Sequence, residues 1–419
     1  MLHENWAGNY RYQAKAVHRP ESVKEVQEIV KRSACVKVLG TRHSFNGIAD
    51  TEGVHVSLER MNSVIALDRE RHTVRVEGGI RYGDLCRYLH REGYALPNLA
   101  SLPHISVVGA CATGTHGSGD RCANLADCVV AVDIVTAAGD VRTLSRQEPG
   151  DAFDGAVVNL GALGPVVSLT LQLIPAFDVR QDVYQGLPLE RLAERFDEVF
   201  ACGYSVSLFT TWKGSEIDQV WVKRRASDGE SSVLVELGAT PATAKLHPIP
   251  GADSQHCTEQ MGIVGPWHER LPHFRLEFTP SAGEELQSEY FVPRSSANGA
   301  LRTIDEIKAR VAPLLHVSEV RTIAADSMWM SPCYERDSVS IHFTWKKDWE
   351  AVRAALPLIE EALAPFGARP HWAKLFCMPP ERVRALYPRL PDFRRLALEC
   401  DPGGKFRNPF LDEYVFGDV

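Results

Sequence analysis

Between residues 100 and 119 the chain reads Ala-Ser-Leu-Pro-His-Ile-Ser-Val-Val-Gly-Ala-Cys-Ala-Thr-Gly-Thr-His-Gly-Ser-Gly, and no other stretch restricts the fold as sharply. Glycines and hydroxyl residues at this density let backbone amides approach an anion closely, with glycine supplying geometries that other residues cannot reach. A pyrophosphate suits such a segment, and so does a tight surface loop; the segment alone leaves both open. It is not a nucleotide loop of the usual kinds. The chain has no Gly-x-x-x-x-Gly-Lys-Ser/Thr, and Gly78-Gly79-Ile80-Arg81-Tyr82-Gly83 lacks the spacing of a dinucleotide-binding turn.

A second loop, Gly40-Thr41-Arg42-His43-Ser44-Phe45-Asn46, follows an apolar stretch over 36–39 that reads as a strand. Alone, His43 is more often a structural or turn histidine than a binding residue. Around these loops the pattern predicts a helix over 20–31 and strands over 54–58 and 73–77. A helix over 82–91 follows, then a hairpin of strands 129–136 and 141–144 and a β-rich run over 166–174, so the first part is mixed α/β. From about residue 176 longer strands take over. Those over 205–211, 219–223, 273–278 and 338–345 predict a largely antiparallel sheet, with helices over 301–311 and 349–363 to cover it. Residues 401–408 carry turn chemistry, and 238–251 read as a linker or loop.

A chain of 419 residues exceeds one ordinary core and predicts two domains. Its net charge of -8, without long single-sign blocks, argues against nucleic acid and anionic membrane as partners. Neither a signal-like N-terminus nor a membrane-length apolar run is read, which points to a soluble, cytoplasmic protein. The ten cysteines are scattered without a Cys-x-x-Cys pair, and no His-Glu-x-x-His occurs, so no metal site is expected.

Two dipeptide alternations carry chemistry. Glu319-Val320-Arg321 and His342-Phe343-Thr344 each place two polar side chains on one face of a strand amid apolar residues. Facing one cavity, the two pairs make a surface for a polyhydroxylated ligand; facing solvent, Glu319 and Arg321 would be an ordinary ion pair.

Several pieces follow in order: Gly-x-x-His-Ser at 40–44, Gly78-Gly79, Pro97-Asn98-Leu99-Ala100-Ser101, Ala112-Thr113-Gly114-Thr115-His116-Gly117 and Leu160-Gly161-Ala162-Leu163-Gly164. In that order the chain resembles the vanillyl-alcohol-oxidase-type FAD family and, within it, the alditol oxidases, relatives of the aldonolactone oxidases. The resemblance runs from Asn5-Trp6-Ala7-Gly8-Asn9 to Asp401-Pro402-Gly403-Gly404-Lys405-Phe406. It implies an α+β, two-domain fold: an FAD-binding domain over 1–175, an antiparallel-sheet cap with the substrate pocket over 176–375, and a C-terminal segment over 376–419 that returns to the FAD-binding domain.

The same resemblance implies FAD contacts at Gly40, Thr41, Arg42, His43, Ser44, Ser101, Ser106, Gly109, Thr113, Gly114, His116, Gly117 and Val166, with a covalent flavin bond at His43. Relatives carry a small residue where this chain has Arg42. Ser101, Glu319, Arg321, His342, Thr344 and Lys374 match the substrate pocket. His342 is the first choice of base and Lys374 the second, with Arg321 and Lys374 stabilising developing negative charge. Residues 267–270 read as a structural corner near the flavin. The implied activity is oxidation of the terminal hydroxyl of a polyol such as xylitol or sorbitol to the aldehyde, with dioxygen reduced to hydrogen peroxide, by a monomer. The rival is an aldonolactone oxidase, or a dehydrogenase that passes electrons to a carrier protein; Ala100 stands where the family controls oxygen access.

Overall fold

The computed structural model describes residues 4–277 and 283–417. After β1 (Ala16–His18), Ser22 caps α1 (Val23–Arg32) by accepting from the Glu25 amide. The buried stripe Val26, Ile29 and Val30 packs on Val36 of β2 (Val36–Val38) and Val56 of β3 (Val54–Val56). These strands are parallel in the order β1-β3-β2, the arrangement that a helix crossing between strands produces.

Next come β4 (Val64–Asp68), β5 (Thr73–Glu77), α2 (Tyr82–Arg91) and α3 (Val107–Ala112). Strands β6 (Val129–Val135), β7 (Val141–Ser145) and β8 (Val166–Gln172) complete an antiparallel sheet of order β4-β5-β8-β6-β7. Leu85, Leu89 and Val107 from the two helices bury against Val74, Val76, Leu169 and Leu171. The turn from β5 to α2 needs its two glycines, because a Cβ at Gly78 would overlap the Val166 carbonyl and one at Gly79 the Leu58 carbonyl.

The second half is built on β9 (Asp178–Pro188), β10 (Ser205–Thr210), β11 (Glu216–Arg225) and β12 (Glu285–Pro293), followed by α4 (Ala297–Glu306), β13 (Leu315–Ile323), β14 (Ser338–Lys346) and α5 (Trp349–Leu363). The strands form one antiparallel sheet, β9-β11-β10-β13-β14-β12, extended by Thr240–Pro241 at one end and Arg369–Pro370 at the other. Alternation gives it two unlike faces. Val320, Ile341, Phe343, Trp345 and Tyr290 point into a core with Leu301 and Ile304 of α4 and Leu356 and Ile359 of α5. The residues between them in sequence form the opposite, polar face.

The chain then returns to the first core. Leu396 and Ala397 of α6 (Leu390–Cys400), with Phe410, Leu411 and Val415, pack there beside Met328, Met330 and Trp372. Asp401 accepts from the Lys405 and Phe406 amides (2.9 and 2.7 Å), closing the turn. Among the described residues no helix is long and apolar enough to cross a membrane.

Three expectations change. The strand over 273–278 does not form within the described residues, and Phe278 lies outside them; His273 and Phe274 donate their amides to the Ser101 carbonyl instead (3.1 and 3.3 Å), clamping that loop. The segment 101–119 is not all loop, since it contains α3. The helix over 301–311 begins earlier, at Ala297, and breaks at Ile307 before a short turn over Lys308–Val311.

Candidate active site

Both glycine loops meet at Ser106. Its amide donates to Thr41 Oγ1 (3.3 Å), and a Cβ at Gly40 or Gly109 would stand 2.9 or 2.7 Å from its hydroxyl. Gly40 and Gly109 are both exposed and both lie against the Ser106 hydroxyl, so a side chain at either would crowd the backbone there. That is a fit for a pyrophosphate-bearing cofactor such as FAD, which needs close approach of main-chain amides. Thr113 Oγ1 donates to the Gly109 carbonyl (3.1 Å), and Gly114, at φ +68, packs on Pro332. Val166 is buried in the first core at the base of β8.

His43 is half-buried and stacks on Trp6, with ring centroids 5.3 Å apart and planes 19° from parallel. Its Nδ1 is buried with no hydrogen-bond partner. Burial pushes its pKa down to about 4, so the ring is neutral and nucleophilic at pH 7. Arg42 has φ +64, a left-handed conformation that costs a non-glycine residue roughly 1–2 kcal/mol. Its carbonyl accepts from the Trp6 amide (2.8 Å), and its guanidinium donates to the Glu4 carbonyl (2.9 Å). The position before His43 is therefore special for a backbone reason. Asn5 and Asn9 donate to the Ser44 and Phe45 carbonyls (2.9 and 2.8 Å). On the other side Phe45 donates its amide to Ala373 (2.7 Å), and Asn46 donates to both the Trp372 and Lys374 carbonyls (2.9 Å each).

The polar sheet face lies beyond this loop. In register, Glu319 of β13 stands opposite His342 of β14, which stands opposite Glu289 of β12; Thr344 pairs with Gln287 one step along. All four expected strand residues, Glu319, Arg321, His342 and Thr344, are buried, and Ser101 reaches them through Arg321 Nη1 (3.5 Å). Arg321 Nε pairs with Glu319 (3.4 Å). The pair is thus buried along one strand, not solvated.

Glu289 was not foreseen. It is 1% exposed and accepts from Lys374 Nζ (2.9 Å), His116 Nε2 (3.0 Å) and Arg321 Nη2 (3.4 Å). The imidazole of His116, expected against the cofactor, meets Glu289 and the Gly117 carbonyl. The signal was available: Glu285, Gln287 and Glu289 alternate with Leu286, Ser288 and Tyr290 as the recognised polar pairs alternate on β13 and β14.

Burial alone would raise Glu289, but Lys374, His116 and Arg321 outweigh it and hold the carboxyl well below its usual range. Burial pulls Lys374 down while Glu289 pulls it up. Paired so closely, Lys374 suits charge stabilisation better than its expected second role as base. His342 is driven down to about 3, by burial first and then by Lys374, and its Nε2 meets Gln287 Oε1 at 3.2 Å. The ring is neutral at pH 7.

Comparison with known proteins agrees with this geometry. The pattern described as an FAD binding domain matches residues 14–145, and that of D-arabinono-1,4-lactone oxidase matches 283–414. An alditol oxidase from a Streptomyces species is 52% identical, with 99% of each chain covered. L-gulono-1,4-lactone dehydrogenase of Mycobacterium tuberculosis is 29% identical over 97% of each. Cholesterol oxidase from B. sterolicum superposes with a TM-score of 0.77 at 13% identity, covering 99% of this chain and 96% of that one, which shows the shared fold. The matched FAD binding domain and the relative at 52% identity make this chain an FAD-dependent oxidoreductase, with paired glycine loops beside a charged sheet face. The chain belongs to the alditol oxidases of the vanillyl-alcohol-oxidase-type family.

The buried imidazoles make stability pH-dependent. His342 and His273, at about 3 and about 4 in the fold, stay neutral where the unfolded chain takes up protons, so stability falls as pH drops below about 6.5 and continues to fall toward pH 4. Each should cost about 2 kcal/mol between pH 7.5 and pH 5. Denaturant titrations at the two pH values should show the loss, and His342→Gln should reduce it by its own share.

Proposed function

We propose that this chain oxidises the terminal primary hydroxyl of an alditol, such as xylitol or sorbitol, to the aldehyde and forms hydrogen peroxide from dioxygen, with FAD bonded to His43. The single observation that carries the reading is the row of buried, directional polar groups on β12, β13 and β14 that ends at Lys374. A polyol is bound by many oriented hydrogen bonds rather than by apolar area, and carboxylate, guanidinium, hydroxyl and ammonium are all present here. The relative at 52% identity, an alditol oxidase, supports the same substrate class.

Gly40, Thr41, Ser106 and Gly109 would hold the FAD pyrophosphate, and His43, its Nδ1 unpartnered, would attach the ring. Bound FAD supplies a two-electron acceptor and passes the pair to dioxygen. The chain's own groups handle orientation, charge and the proton. With Nε2–H donating to Gln287, His342 has its lone pair on Nδ1 and accepts the reacting hydroxyl's hydrogen. Arg321 and Lys374 stabilise the alkoxide that develops as the C–H bond weakens. Ser101, Glu319 and Thr344 bind hydroxyls farther along the polyol. Ten free cysteines suit a reducing compartment, and we assign the protein to the cytoplasm, acting as a monomer.

A second reading rests on the D-arabinono-1,4-lactone oxidase pattern over residues 283–414: an aldonolactone oxidase, or a dehydrogenase handing electrons to a carrier protein. Substrate-dependent bleaching separates the two. Anaerobic xylitol should bleach the purified holoenzyme's flavin, and air should then yield peroxide; bleaching by an aldonolactone but not by xylitol overturns the alditol reading.

On a denaturing gel under ultraviolet light, flavin fluorescence should migrate with the chain and vanish in His43→Ala. Fluorescence that persists in that variant places the bond elsewhere. Arg321→Leu and Lys374→Met should slow flavin reduction by roughly 100-fold or more with flavin content unchanged. Parallel loss of both quantities would make these residues structural.

A further inference from the structure

Farther along the same polar face lie two buried titratable groups that the chemistry above does not use, Lys223 and His273, and they lead to Glu319. Lys223 of β11 is 1% exposed. Its Nζ donates to the carbonyls of Leu271 and Pro272, the latter at 3.1 Å, and meets His273 Nδ1 at 3.0 Å. His273 Nε2 meets Glu319 Oε1 at 2.8 Å, and Glu319 lies directly across the sheet from His342. Phe209 and Trp221 close on the His273 ring edge-on, centroids 5.5 and 5.2 Å away, shielding it from solvent.

Counting hydrogens on these atoms gives two complete arrangements. Two N–H bonds of Lys223 are committed to the two carbonyls. If the third position carries a proton, Lys223 is an ammonium that donates to Nδ1, and Nε2–H donates to an ionised Glu319. If it is a lone pair, Lys223 is an amine that accepts from Nδ1–H, and Nε2 accepts from a protonated Glu319. Moving two hydrogens along these short contacts converts one arrangement into the other and carries one proton from Glu319 to Lys223, with every buried polar atom paired at both ends.

We propose that Glu319, His273 and Lys223 form a proton relay that takes up the proton released from the substrate hydroxyl at His342 and stores it on Lys223 until dioxygen is reduced. The proposal rests on the alcohol oxidation described above. In that oxidation the C–H electron pair leaves as hydride, the O–H pair becomes the second C–O bond, and one proton is freed. Making hydrogen peroxide from dioxygen consumes the hydride and one proton, so the stored proton balances the cycle without an outside donor.

The electrostatics support the direction of transfer. The groups facing Lys223 are His273, Glu319, Arg321 and Cys257. Burial pulls Lys223 down to about 7, against the opposing pull of Glu319, so both of its forms are accessible near neutral pH. Burial would raise Glu319, but Arg321 and His273 outweigh it and keep the carboxyl ionised, so a proton passes through it and does not stay.

Lys223→Arg tests the relay, since arginine keeps the charge and the donors but does not give up its proton. In the parent holoenzyme, anaerobic flavin reduction by xylitol should accelerate as pH rises through about 7. The variant should hold its flavin but reduce it ~100-fold more slowly, with no such rise. In weak buffer at pH 8 with an indicator dye, parent reduction should release no proton and reoxidation by air should take none up, whereas the variant should release one per flavin on reduction and take one up again on reoxidation. If Lys223→Arg fails to fold, His273→Gln must show the same slowing and the same early proton. A variant with the parent's rate and pH profile, or a parent that releases its full proton on reduction, overturns the relay alone. A parent flavin that xylitol does not reduce overturns the alcohol-oxidation reading and the relay with it.

Discussion

One carboxylate, Glu289, makes the interior chemistry of this chain affordable. Lys374, Arg321 and His116 arrive from three different segments, Arg321 and His116 buried and Lys374 largely so. A buried ion without a partner costs several kcal/mol, and removing one member of a buried pair costs about 3–5 kcal/mol. Glu289 answers all three from the middle of β12, which puts the glycine-rich segment, the central sheet and the segment after Arg369–Pro370 under one electrostatic constraint. The sheet can turn a charged face inward only because this anion is there.

The rest of the site follows from alternation. On β12, β13 and β14 every second residue enters an apolar core under α4 and α5, and the intervening residues face the cleft. Chemistry and stability are therefore assigned to opposite sides of the same strands. Each polar side chain of this face is held by a backbone whose other face is locked in close packing, which keeps its position well defined.

The sequence shows β5, α2 and α5 with their ends in place, because their apolar periodicity is clean and turn or capping residues bound them. It also shows the polar pairs of β13 and β14. Glu289 obeys the same rule but was passed over: its neighbours in sequence, Ser288 and Tyr290, blur the contrast between faces, and its partners lie far away along the chain. The segment after Pro272 failed for a different reason. Its residues look strand-forming, yet their amides are spent on the Ser101 carbonyl, a tertiary demand that no local pattern records. Lys223 and His273 were legible only as residues of two expected strands, since what makes them notable is a 3.0 Å contact between segments fifty residues apart.

Asn46 and Phe45 give the site a property of a different kind. By bonding the carbonyls of Trp372, Ala373 and Lys374, they join the loop of His43 to the backbone that bears Lys374. The spacing between the His43 loop and the backbone of Lys374 is thus set by the Phe45 amide and the Asn46 side chain bonding main-chain carbonyls, and the side chains of β13 and β14 play no part in these bonds. Residues on β13 and β14 can change to fit a longer or shorter polyol while that spacing is inherited intact. The scaffold can in this way drift among substrates without losing its alignment to the cofactor.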